Sequence, residues 1–243
     1  MQFNVIGDSM QCVVVKMEPG EEVKAEAGSL MYADRGIQID TKMPGGLLAG
    51  IGRMLAGSTL FFTHFHSIAP GSSVAFSAHY PGHMRHLILQ GDSWLCSKES
   101  FLFSTSSVDI QMAFSKRFGY GFFSGEGFIL QRISGQGDLF IHGGGNLVDI
   151  DLAPGQNLRV EAGSVVAFQE SVSYDIEFIG GLKNALFGGD GIFLISLVGP
   201  GRVTLSTLPF SRLAGAILAQ AGNQSQTIGS SPGSILGDVF KNI

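Results

Sequence analysis

Charge is scarce in this sequence. Of 243 residues, 14% are Asp, Glu, Lys or Arg, against about 25% in an ordinary soluble domain. Lys and Arg total 15 and Asp and Glu 20, a net charge of -5. With no basic surplus to neutralise phosphates, no nucleic-acid partner is expected. Cysteine is nearly absent too. Cys12 and Cys96 lie far apart in the apolar runs QCVVV and SWLCS, and no C-x-x-C occurs. They read as free buried thiols of a reducing compartment, so the expected location is the cytoplasm. No apolar run reaches the ~18 residues of a membrane-spanning helix. The nearest, residues 45–63, carries Arg53 and five glycines. The N-terminal MQFNVIGDSMQ has no basic n-region and no long apolar h-region, so no secretory signal is expected.

What is present is apolar and glycine-rich: 44% hydrophobic residues and 35 glycines. That composition excludes general disorder, and the glycines are not periodic, which excludes collagen. A compact 25.7 kDa monomer exposes on the order of 10,000 Å², or roughly 300 Å² per charged group. Apolar patches must then reach the surface, and such patches mark interfaces. A homo-oligomer is the expected state, with a further protein partner or a membrane surface as additional possibilities.

The strongest signal is an internal repeat. Residues 18–40, EPGEEVKAEAGSLMYADRGIQID, match residues 153–175, APGQNLRVEAGSVVAFQESVSYD, at an offset of 135 without a gap. Pro19, Gly20, Glu26, Ala27, Gly28, Ser29 and Asp40 fall on Pro154, Gly155, Glu161, Ala162, Gly163, Ser164 and Asp175. The pair Gly45-Gly46 falls on Gly180-Gly181. A weaker third copy lies between them: residues 98–111 align with 162–175 at an offset of 64, and FFSGEGFIL overlays LFGGDGIFL. One unit cannot bury its own apolar face, so three should share a core.

The local pattern is β throughout. QCVVVKM, LFFTHF, VAFSAHY, HLILQG, FILQRI, DLFIH, LVDIDL, YDIEF, IFLISL and RVTLS are short, rich in Val, Ile, Phe and Leu, and bounded by turn residues. The triple glycine Gly143–Gly145 separates two alternating runs and reads as a hairpin rather than a phosphate loop. Two helices are expected. Leu47, Leu48, Ile51, Met54 and Leu55 have helical spacing, and Phe210, Leu213, Ala214, Ile217, Leu218 and Ala221 follow a longer stripe that ends at Gly222. Residues 223–233 read as a polar tether, and Ile235, Leu236, Val239, Phe240 and Ile243 as a sticky apolar tail.

The predicted fold class is therefore all-β. Three tandem β repeats (about 1–71, 72–137 and 138–208) pack as a jelly-roll or double-stranded β-helix-like sandwich with pseudo-threefold symmetry. A short C-terminal helix (209–222) and a tether with apolar tail (223–243) follow. The repeat pattern, with EAGS, the GG pair, GGDGIFL and LPFSRLA at 208–214, resembles the bacterial branch of the altered-inheritance-of-mitochondria (mitochondrial biogenesis) family over about residues 1–221. The resemblance implies an all-β fold similar to the tryptophan RNA-binding attenuator protein. It implies a link to membrane organisation through the mitochondrial branch, and no activity or catalytic residue to carry over. The first repeat has AGSTLFF where the third has GGDGIFL, so the acidic turn is missing there.

Candidate chemistry is thin. His64 and His66 in THFHS share a strand face, and two imidazoles plus a third ligand are how a cupin holds a metal. A cupin also needs an acid after that pair, and SIAPGSSVAF supplies none. His64 falls where Arg132 and Ser196 sit in the other repeats, a solvent-facing position. His79, His83 and His86 read as exposed loop histidines around Pro81-Gly82. GDSW at 91–94 is not a nucleophile elbow, and GIGRML at 50–55 lacks the third glycine of a dinucleotide fingerprint. Asp149 and Asp151 read as a solvated strand face, and Glu126 and Asp190 as equivalent structural turns. No catalytic, cofactor-binding or metal residue is assigned, and no motif names a small-molecule ligand. The expected function is a non-enzymatic structural or interaction protein that forms a homo-oligomer. The alternatives are a cupin-like metal-binding protein using His64 and His66, and a peripheral membrane protein.

Overall fold

The computed structural model describes residues 1–41, 62–116, 128–179 and 192–225. The expected helix at 47–55, the turns holding Glu126 and Asp190, the GIGRML segment and the C-terminal tail lie outside these residues. The described chain is predominantly β, with 17 strands and one α-helix. The strands are β1 (Gln2–Ile6), β2 (Cys12–Met17), β3 (Glu22–Glu26), β4 (Leu30–Ala33), β5 (Ile37–Thr41), β6 (Phe62–Ser67), β7 (Ser72–Ser77), β8 (Gly82–Ser97), β9 (Phe101–Thr105), β10 (Val108–Lys116), β11 (Phe128–Gly144), β12 (Leu147–Leu152), β13 (Asn157–Glu161), β14 (Val165–Gln169), β15 (Ser173–Ile179), β16 (Ile192–Val198) and β17 (Gly201–Ser206). The helix α1 spans Phe210–Ser225, and short 3-10 turns occupy Lys98–Ser100 and Ala162–Ser164.

Alternation along the strands explains why they form. In CVVVKM, Val13, Val15 and Met17 point inward and are fully buried, while Lys16 is exposed. Strand β6 lies between β3 and β5, and β7 between β2 and β4. Strand β16 lies between β13 and β15, and β17 between β12 and β14. The long strands β8 and β11 serve two groups at once. The first half of β11 lies between β10 and the second half of β8; its second half lies between β9 and the first half of β8. The change of partner occurs at a register shift between Ser134 and Gln136. Gly135 sits there at a φ of 114°, a conformation that side-chain-bearing residues rarely adopt.

Two further ladders join these groups. Strand β9 adds to β3, pairing Val23 with Thr105, Lys24 with Ser104 and Ala25 with Phe103. Strand β14 adds to β8, pairing Ala167 with Cys96, Phe168 with Leu95 and Gln169 with Trp94. The result is one ten-stranded sheet, a four-stranded sheet (β1-β2-β7-β4) and a three-stranded sheet (β13-β16-β15).

The hairpin expected at Gly143–Gly145 does not form. Strand β11 pairs with β8, β9 and β10, and β12 with β17. The glycines are needed for close approach instead. A Cβ at Gly143 would lie 2.6 Å from Leu147 and 2.8 Å from Val166, and one at Gly144 would lie 2.1 Å from the Leu208 carbonyl oxygen. Helix α1 starts after Pro209 as its periodicity predicts, but Ile217 and Leu218 on its apolar stripe remain exposed.

Three cores result. The first joins Val13, Val15, Val23, Phe65 and Phe76 to Phe103 and Phe140. The second is built on Leu130, Phe168, Ile195, Leu197 and Val203, and the third on Leu89, Trp94, Ile133, Leu139 and Ala167. Phe103 is the hinge of the first, with ring centroids 4.5 Å from Phe140 and 4.7 Å from Phe76. Phe103→Ala is expected to cost about 3–5 kcal/mol, read by urea unfolding. Val148→Ala, on an exposed side chain, is expected to stay within about 0.5 kcal/mol. Equal losses would contradict this core assignment.

Candidate functional site

His64 and His66 lie on one face of β6, their ring planes 16° from parallel and centroids 6.4 Å apart. The neighbouring strands bring two acids to them. Glu22 on β3 places Oε1 2.6 Å from His64 Nδ1 and Oε2 3.5 Å from His66 Nδ1. Asp40 on β5 lies 3.5 Å from His66 Nε2. The segment downstream of the histidines holds no acid, whereas the sheet supplies acids sideways, from strands paired in space. All four side chains are partly exposed rather than fully solvent-facing. Among the described residues, no group of three His, Cys, Asp or Glu side chains is arranged to hold a metal ion.

The other positions aligned with His64 explain this arrangement. Arg132 makes a two-pronged ion pair with Glu170, at 2.7 and 2.9 Å. Ser196 donates to Glu177 at 3.2 Å, and Arg159 also pairs with Glu177 at 2.7 Å. At each of the three places a polar side chain meets a carboxylate: from a paired strand at His64 and Ser196, and from the turn after β14 at Arg132. Cross-strand pairing accounts for that without a ligand.

His79, His83 and His86 do not share a loop. Strand β8 begins at Gly82, so His83 and His86 are strand residues and only His79 remains in the turn. His83 Nδ1 donates to the Gly145 carbonyl at 2.6 Å. His86 Nε2 lies 2.7 Å from Asp138, and its ring stacks 4.4 Å from Phe140. The period-two pattern continues through HYPGHMRH, but Pro81-Gly82 masked it. Asp149 and Asp151 are cross-strand partners: Asp149 lies 2.8 Å from Arg85 and Asp151 2.8 Å from Arg202. Within GDSW, Ser93 accepts a hydrogen bond from Arg132 at 2.9 Å and Trp94 donates to Asp92 at 2.9 Å. Cys12 and Cys96 are free, and burial pushes the Cys96 thiol up, away from the reactive thiolate.

A cluster that sequence reasoning missed has three strongly perturbed groups. His142 on β11 is 3% exposed, and its ring meets Tyr80 edge-on at 4.7 Å. Burial, with His79 and His83 adding to it against a hydrogen bond with the Tyr80 backbone, lowers its pKa to about 4. Glu26, at the end of β3, is raised to about 7 by burial, with Lys98 opposing and Glu99 reinforcing. Burial, with Glu99 and Glu26 reinforcing it, pushes the Tyr80 hydroxyl up as well. No spacing motif links Glu26 at the end of β3, Tyr80 in the bend before β8 and His142 on β11; Tyr80 is the residue that both of the others meet.

These side chains offer no nucleophile with an adjacent base and no metal cage. The family model "Mitochondrial biogenesis AIM24" matches residues 3–208. The chain belongs to this family. An uncharacterized protein of Streptococcus pyogenes serotype M6 is 27% identical over 227 residues, covering 89% of this chain and 90% of that protein. The crystal structure of a Streptococcus pyogenes protein matches with a TM-score of 0.74 at 23% identity, over 90% of this chain and 99% of that one, which supports the fold alone. No described helix of this AIM24-family chain is long and apolar enough to cross a membrane.

Glu26 and His142 set opposed pH dependences. Between pH 4.5, the ordinary Glu value, and about 7, the folded chain keeps a Glu26 proton that the unfolded chain has lost, so stability falls as pH rises. Between about 4 and the ordinary His value of 6.5, the unfolded chain carries a His142 proton that the folded chain lacks, so stability rises with pH. Across pH 4.5–6.5 the two slopes offset one another. Relative to wild type, Glu26→Gln is expected to gain stability with rising pH and His142→Asn to lose it, each by at most about 1.4 kcal/mol per pH unit. Urea unfolding at pH 4.5, 5.5 and 6.5 checks the signs. Wild-type profiles in both variants would contradict them.

Proposed function

We propose that the chain is a non-enzymatic structural or interaction protein. It assembles as a homo-oligomer from three copies of one β unit, in a jelly-roll arrangement similar to the attenuator protein. The units are β2–β7, β8–β11 and β12–β17. The support for triplication is the recurrence of two three-stranded groups in each, together with the aligned sequence at offsets of 135 and 64. The observation that carries the oligomer is apolar exposure. Leu30, Met31 and Tyr32 on β4, Ile68, Ile88, and Ile217 and Leu218 on α1 all stand exposed on a chain with few charges. Light scattering over a concentration series is expected to give a multiple of 25.7 kDa. A lone 25.7 kDa species at every concentration would end this reading.

A second reading rests on α1. Phe210, Ile217 and Leu218 form an exposed apolar stripe of the kind that lies in a membrane interface. Charge gives it little help, because Arg212 is already paired with Glu161. Flotation with anionic liposomes is expected to carry the wild-type chain upward and to leave Ile217→Glu/Leu218→Glu at the bottom. Identical behaviour of the two would remove this reading.

A further inference from the structure

The three aligned strands β4, β9 and β14 have very different surroundings. In β9, Phe101, Leu102 and Phe103 are at most 2% exposed; in β14, Val165, Val166 and Ala167 are at most 2% exposed. The aligned residues of β4, Leu30, Met31 and Tyr32, are 40%, 58% and 44% exposed. The difference is that β4 has no neighbour on that side among the described residues. Strand β9 has β3 on its outer side and β14 has β8, while β4 ends its sheet. The strand aligned with β3 and with the second half of β8 is β13, and β13 also ends its sheet. Among the described residues, one chain thus carries two complementary unpaired edges, each with a known kind of partner inside the same molecule.

We infer that β4 of one copy pairs antiparallel with β13 of a second copy, making between chains the joint that β9–β3 and β14–β8 make within one. This rests on the homo-oligomer reading above and specifies its contact. Both internal ladders set the same register. Carrying Ala25–Phe103 and Lys24–Ser104 across by the sequence offsets gives Val160 opposite Tyr32 and Arg159 opposite Ala33. Carrying Cys96–Ala167 and Leu95–Phe168 across gives the same two pairs.

Side-chain placement agrees. Leu102 and Phe103 enter the core of the unit that receives β9, and Val166 and Ala167 enter the core of the unit that receives β14. The aligned pair on β4 is Met31 and Tyr32, the two residues there with no core to enter. On β13, Leu158 and Val160 belong to the second core, whose margin of Leu158, Ile150 and Tyr174 is only partly buried. An unpaired edge also exposes backbone donors and acceptors that a second strand would satisfy. The contact is head-to-tail, so it closes into a ring or extends as a filament.

The test uses the full chain with Cys12→Ser, since Cys12 is a half-buried thiol. Ala33→Cys and Arg159→Cys chains, carrying different tags, are co-expressed and mildly oxidised. Directly opposed side chains lie close enough to cross-link. The expected result is a covalent two-chain species holding both tags, at least tenfold more abundant than with Ala33→Cys and Leu158→Cys. Met31→Lys, on a residue already exposed, is expected to leave folding intact and to lower the fraction assembled at least tenfold. Cross-linking only within single chains of the double variant Ala33→Cys/Arg159→Cys would overturn the proposal, because the edges would then close on each other. Assembly by light scattering without any cross-link would also overturn it, while leaving the homo-oligomer reading in place. A monomer at all concentrations would overturn both.

Discussion

A strand at the edge of a sheet carries a row of backbone N–H and C=O groups that must find partners or stay in water. That constraint orders this chain. Strands β9 and β14 meet it by docking on β3 and β8, and the side chains beside those ladders, Phe103 and Ala167 among them, are fully buried as a result. The ladder and the core form together: a strand that gains a neighbour also gains a place for its apolar residues. At β4, where no described strand lies on that side, equally apolar residues are left in solvent. Burial here depends on position along the series of strands as much as on residue type.

Much of the fold was legible in the sequence. The period-two alternation in CVVVKM and the helical stripe from Phe210 both correspond to elements of the expected type. What misled was glycine. A run such as Gly143–Gly145 can turn a chain or let two backbones touch, and the sequence does not distinguish these uses. The steric crowding by Leu147, Val166 and the Leu208 carbonyl shows which one applies. The open edge was hidden for a related reason: LMY in β4 is as apolar as FLF in β9, and only the missing strand beside it separates them.

The polar clusters were less legible still. His64 and His66 stood out by spacing, but Glu22 and Asp40 reach them across sheet ladders, Glu22 from 42 residues before His64 and Asp40 from 26 before His66. Pairing in space, not a sequence motif, makes that group. The cluster of Glu26, Tyr80 and His142 left no trace in the sequence, since each residue is ordinary in its own segment. Burial raises Glu26 and lowers His142, because taking either group out of water disfavours its charged form.

The central claim is that two edges of this AIM24-family chain wait for a second copy. Backbone amide hydrogen exchange measured against protein concentration tests it most directly. The account predicts that amides in Leu30–Ala33 and Asn157–Glu161 gain protection together as concentration rises, while those in Phe101–Thr105 and Val165–Gln169 are protected throughout. Protection of both edges that stays the same from the most dilute to the most concentrated sample would contradict it.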